Sequence, residues 1–90
     1  MLPFKQKHVS DSKFVRTFSA DTPSEELKWH RDAEDRVVTP LRETDWMVQL
    51  DNELPRRIEG SITIPAGVYH RVIKGTGNLH VEIEKSPKAV

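Results

Sequence analysis

Apolar and polar positions alternate along this chain in short runs, and turn residues separate the runs. Lys13 to Phe18 reads KFVRTF, large and polar residues in turn. The stretch ADTPSEE is a turn, and one helical turn is expected after Pro23, with Thr22 or Ser24 as its cap. Leu27 to Asp32, LKWHRD, is the next extended run, followed by Val37 to Leu41. Pro40 near the end of that run suggests an edge or a bulge. Thr44-Asp45 is a tight connection into Trp46–Leu50, where Trp46, Val48 and Leu50 share one face. After a loop at 51–55, extended runs are expected at Arg57–Ile58, Ser61–Ile64 and Tyr69–Ile73. Gly75-Thr76-Gly77-Asn78 signals a hairpin. Leu79 to Glu84 then alternates cleanly, with Leu79, Val81 and Ile83 on one face. About seven or eight short strands and no long helix predict an all-β domain. One flat sheet of that size would leave two edges and much apolar surface exposed. Closure into a small barrel, or folding into two sheets, removes both problems.

The length of 90 residues sets one domain. We place it at 12–85, with an N-terminal tail or edge segment at 1–11 and a C-terminal tail at 86–90. Lys and Arg number 14 and so do Asp and Glu, giving a formal net charge of zero. That balance, with no basic run, gives no basis for binding nucleic acid or an acidic membrane. No apolar run approaches the roughly 20 residues needed to cross a bilayer, and MLPFKQKH lacks the apolar stretch of a signal peptide. Cysteine is absent. Disulfides, thiolate metal sites and cysteine nucleophiles are excluded together, and a cytoplasmic setting is the expectation. Any metal must be held by nitrogen and oxygen.

Two stretches carry the candidate chemistry. In Trp29-His30-Arg31-Asp32-Ala33-Glu34-Asp35-Arg36, an extended backbone puts His30, Asp32, Glu34 and Arg36 on one face. In Ile64-Pro65-Ala66-Gly67-Val68-Tyr69-His70-Arg71, a proline–glycine turn delivers His70 onto a new strand, facing the same way as Val72. If both faces look into a barrel, His30, Asp32 and His70 converge. Two imidazoles and one carboxylate form the arrangement used by non-haem iron, which leaves open positions for water, oxygen or substrate. The same ligands suit manganese, nickel and zinc.

These motifs resemble those of the cupin family. The family's second motif, G-x5-P-x-G-x2-H, is matched by Pro65, Gly67 and His70, with Gly60 one residue closer than the pattern asks. Its first motif, H-x-H-x3,4-E-x6-G, is degenerate here. In the preferred register His30 is the first histidine, Asp32 replaces the second, Arg36 replaces the glutamate and Glu43 the glycine. In the other register His30 is the second histidine, Lys28 replaces the first, and Glu34 or Asp35 supplies the carboxylate. The resemblance spans residues 27–84. It implies a small β-barrel, the double-stranded β-helix or jelly roll, with a divalent ion near one mouth and often a homodimer. It implies no single activity, because the family includes dioxygenases, isomerases, epimerases, decarboxylases, lyases, sugar binders and storage proteins.

Three functions follow as expectations. The first is a metal-binding cupin, with His30, Asp32 and His70 as ligands, Glu34 in reserve, and Arg36 orienting a small anionic molecule. Gln49, which shares a face with Asp51, is a further pocket candidate. The second is a metal-free module gripping a sugar or carboxylate. The third is an interaction domain whose outer face, with Trp29 and Tyr69, meets a partner or a second copy. Each residue also has a structural role to weigh: His70 hydrogen-bonded under its turn, Asp32 paired with Arg31 or Arg36, and Glu34 a solvated or paired acid. His8 and His80 are not expected as ligands. No phosphate loop or nucleophile elbow is present.

Overall fold

A computed structural model describes residues 3–86. It contains eight strands: β1 (Phe4–His8), β2 (Lys13–Phe18), β3 (Asp35–Pro40), β4 (Met47–Leu50), β5 (Arg56–Arg57), β6 (Ile62–Ile64), β7 (His70–Ile73) and β8 (Leu79–Ser86). One short 3-10 helix, Ser24–Glu26, follows Pro23, and no side chain caps it. Five strands form one sheet in the order β1-β2-β8-β3-β6, and three form the other in the order β5-β4-β7. All pairings are antiparallel. This is an all-β jelly roll of two facing sheets.

The alternation in the sequence decides which side of each strand enters the core. β8 is the longest strand and lies between β2 and β3. Its Leu79, Val81 and Ile83 are buried, and across the ladders they oppose Phe18, Arg16 and Phe14 on β2. Ile62 and Ile64 come in from β6, and Val48 and Leu50 from β4. Trp46 is fully buried and its indole N–H donates to Gly77 O at 3.0 Å, which satisfies its one polar atom.

Three local expectations come out differently, and the N-terminal segment takes the edge alternative of its two readings. LKWHRD is not a strand: only Leu27 is buried, Lys28 to Arg31 are exposed, and a single bridge joins His30 to His70. The segment lies at the rim, where one residue pair is all the ladder it can make. In the N-terminal segment 1–11, Phe4–His8 forms the edge strand, paired with β2, because Phe4 packs against the core. The GTGN turn does not close a hairpin. β7 pairs with β4, whereas β8 pairs with β2 and β3, so this turn carries the chain from one sheet to the other. It is fastened to the β3–β4 connection: the Asp45 carboxylate accepts from Thr76 N at 2.8 Å and from Thr76 Oγ1 at 2.8 Å. A Cβ on Gly75 would lie 2.7 Å from Trp46 N, so that close approach needs glycine. Finally, β3 is internal and not an edge, and Pro40 ends it beyond the last residue paired to β6. The tail expected at 86–90 falls outside the described residues after Ser86. Among the described residues, no helix is long and apolar enough to cross a membrane.

Candidate metal centre

The site is assembled by one turn and one bridge. Val68 N–H closes the Pro-Ala-Gly turn on Pro65 O at 3.2 Å, with Gly67 at φ +78°, a region that favours glycine. Two bonds fix that turn to the rim segment: Gly67 N donates to Asp32 O at 2.9 Å, and Ala66 N to Asp35 Oδ1 at 2.7 Å. One turn later the backbones of His30 and His70 exchange both hydrogen bonds, at 3.0 and 2.8 Å. Directly opposed residues of an antiparallel pair share a face. The two imidazoles therefore meet, with ring centroids 4.3 Å apart.

The hydrogen bonds also fix the tautomers. His70 Nδ1 lies 2.9 Å from Val68 O, and His30 Nδ1 lies 3.0 Å from Lys28 O. A carbonyl only accepts, so both Nδ1 atoms carry the proton. Each neutral ring then keeps a lone pair on Nε2, the orientation that carbonyl partners impose on metal-binding histidines. Burial, more than any neighbouring charge, pushes the His70 pKa below its usual 6.5, and the residue is only 5 % exposed. The neutral form is favoured.

Asp32 completes the group. One ligand atom each from His30, Asp32 and His70 lie within 4.8 Å of one another. Asp32 Oδ2 stands 3.3 Å from His70 Nε2. With His70 neutral, two lone pairs face each other across that gap, and Asp32 Oδ2 is buried without a hydrogen-bond donor among the described residues. A buried acceptor in this state is costly. A cation between the two atoms satisfies both, so the donor set fits a divalent ion. The other Asp32 oxygen, Oδ1, lies 3.4 Å from Arg36 Nη2.

The remaining predicted residues are distributed around this group. Glu34 does not reach the triad. Its Oε1 accepts from Arg36 Nη2 at 3.0 Å and Nε at 3.3 Å. Arg36 does face the interior, on the same side of β3 as Val38, and it neutralises both Asp32 and Glu34. Gln49 is not brought to the site. It lies opposite Val48 and Leu50, on the outer face, where its Oε1 accepts from Arg71 and its Nε2 donates to Glu53 O. Trp29 and Tyr69 are also on the outside, beneath the guanidinium groups of Arg71 and Arg31.

Behind the triad a cavity of about 330 Å³ opens between the sheets. Its walls include Val38, Val48, Ile62, Val72 and Leu79, and Arg16 and Arg36 enter it with the triad. Arg16 was missed in the sequence because KFVRTF reads as large and polar in turn. The signal was present: Arg16 lies two residues from both Phe14 and Phe18, on the face those phenylalanines bury.

No family model matches the sequence, and no curated protein matches it. Solved structures do. The DMSP lyase DddQ from Ruegeria pomeroyi DSS-3 superposes with a TM-score of 0.72 at 14 % identity, covering 96 % of this chain and 48 % of that one. A cupin domain from Bordetella pertussis Tohama I gives 0.59 at 20 %, covering 93 % and 92 %. An FeII HppE structure gives 0.61 at 20 %, covering 82 % and 41 %. The chain spans less than half the length of the DMSP lyase structures it matches. At these identities the likeness is one of fold, and the fold is that of the cupins.

Proposed function

We propose that this protein is a small metal-binding cupin, holding one divalent first-row ion through His30, Asp32 and His70 and acting on, or binding, a small anionic molecule in the cavity behind it. The observation that carries this reading is the buried Asp32 Oδ2, unpartnered and 3.3 Å from a histidine nitrogen that also presents a lone pair. When bound, such an ion acts as a Lewis acid on a coordinated oxygen. The chain's own residues do the rest. The Lys28 and Val68 carbonyls hold the two imidazoles with Nε2 turned to the site. Arg36 orients Asp32 while Glu34 keeps Arg36 in place. Val38, Val48, Ile62, Val72 and Leu79 give the inner side an apolar wall.

That one solved neighbour is FeII HppE supports a metal role without choosing the metal. Titration of metal-free protein with cobalt(II), followed by visible absorption, tests the reading. A saturable band at one equivalent, absent in Asp32→Asn, is the expected result. A featureless titration of folded wild-type protein would overturn it.

A further inference from the structure

Arg16 sits in an unusual place for a guanidinium. It is the middle residue of the inner face of β2, opposite Val81 of β8 on one side and Gln6 of β1 on the other. Its charged end lies 3.8 Å from the centre of the Phe4 ring and 5.1 Å from that of Phe14. Its Nε donates to Gln6 Oε1 at 2.9 Å. Among the described residues, no carboxylate lies within ion-pair distance of it. Partial burial, and next the like charge of Arg36, lower its pKa to about 10.

Arg36 approaches the same Phe14 ring, at 5.6 Å, but its charge is answered by Asp32 and Glu34. The cavity thus holds one guanidinium that is paired and one that is not. Its wall carries three basic residues, Arg16, Lys28 and Arg36, against Glu26 and Asp32, and Glu34 behind Arg36 balances the third. A divalent ion at the triad would tip this balance to positive. A position in the middle of an apolar strand face is ordinarily filled by an aliphatic side chain, because desolvating even part of a charge carries a cost; here it holds a half-buried guanidinium. Aromatic contacts offset part of that cost, yet leave the two terminal amino groups without an acceptor among the described residues.

We infer that Arg16 is an anion-recognition residue, and that the ligand of this cavity is a small carboxylic acid with an apolar body: the carboxylate pairs with the Arg16 fork, and the body lies along Val38, Val48, Val72 and Leu79. The planar fork matches a carboxylate through two parallel hydrogen bonds. The volume, near the lower end of the range for ligand pockets, admits a small acid such as butyrate with room to spare. This deepens the proposed function by naming the ligand class, but it rests on Arg16 and not on the metal.

The test is calorimetric titration of chelator-treated, metal-free protein with butyrate, and with butyramide as the neutral control. Butyrate binding that exceeds butyramide is expected, weakened about 10–100-fold in Arg16→Met, the range for losing a hydrogen-bonded charge. Arg16→Lys should retain the charge but lose the fork, and fall between. Cobalt(II) binding should be unchanged in both variants, so a failed metal site and a failed carboxylate site are read separately. Butyrate binding equally well to Arg16→Met and to Arg16→Lys would overturn the inference, as would equal affinity for butyrate and butyramide in wild type.

Discussion

Replacing Asp32 with asparagine separates a metal ligand from a structural ion pair. The side chains are nearly isosteric, so the asparagine can keep its carbonyl toward Arg36 and turn its amide toward His70. Across the present 3.3 Å gap that amide would donate to the Nε2 lone pair, a neutral hydrogen bond contributing about 1 kcal/mol. Against it stands the loss of the Asp32–Arg36 attraction at 3.4 Å. Arg36 keeps Glu34 at 3.0 Å, so this loss should be about 1 kcal/mol or less, as for other partly screened pairs. The metal-free variant is therefore expected within about 1 kcal/mol of metal-free wild type. Its response to metal should differ sharply. An ion at one hundred times its Kd stabilises a folded protein by about 2.7 kcal/mol. For a domain of this size that raises Tm by roughly 10–20 °C. Thermal unfolding with and without manganese or zinc should show that rise in wild type and its absence in Asp32→Asn. If Asp32 serves only structure, any metal-induced rise should instead be the same in Asp32→Asn as in wild type. A large loss in the metal-free variant, with any metal-induced rise retained, would refute the reasoning.

Further predictions concern stability. His70 has a folded-state pKa below 6.5, chiefly through burial, with His30, Asp32 and Arg36 facing it. Its contribution to the metal-free fold is fully present above pH 6.5 and is lost as pH falls through that value toward the folded pKa; urea midpoints between pH 7.5 and 5 should fall less steeply in His70→Gln, and equal slopes would count against it. Trp46→Phe strands the Gly77 carbonyl that the indole now satisfies at 3.0 Å, and should cost about 1–3 kcal/mol by urea unfolding. Gly75→Ala sets a Cβ 2.7 Å from Trp46 N, and should cost more than Gly77→Ala, whose added Cβ meets no atom and faces only a left-handed φ.

The site was more legible in the sequence than the path that builds it. His-x-Asp spacing and the Pro-x-Gly-x2-His turn name the three residues that converge. The route is different from two paired strands: a single bridge and two bonds donated by the turn, one to the Asp32 carbonyl and one to the Asp35 carboxylate, bring them together, and such long-range contacts leave no periodic trace. The GTGN segment shows the same limit. Its residues specify a tight turn, but which sheet receives β8 is decided by Phe14, Arg16 and Phe18 on a distant strand. Arg16 and Gln49 are the opposite case. The alternation alone is sufficient for both, since Arg16 falls in step with two buried phenylalanines and Gln49 out of step with Val48 and Leu50. Position in the alternation, more than residue type, decides which face each side chain takes.

The most direct test of the central claim is metal content by mass spectrometry, on untagged wild-type protein and on His70→Ala prepared alongside. The account predicts close to one divalent ion per chain in wild type and loss of that ion in the variant. Wild type that stays metal-free after exposure to iron, manganese, nickel and zinc, or a folded His70→Ala that retains its ion, would contradict it.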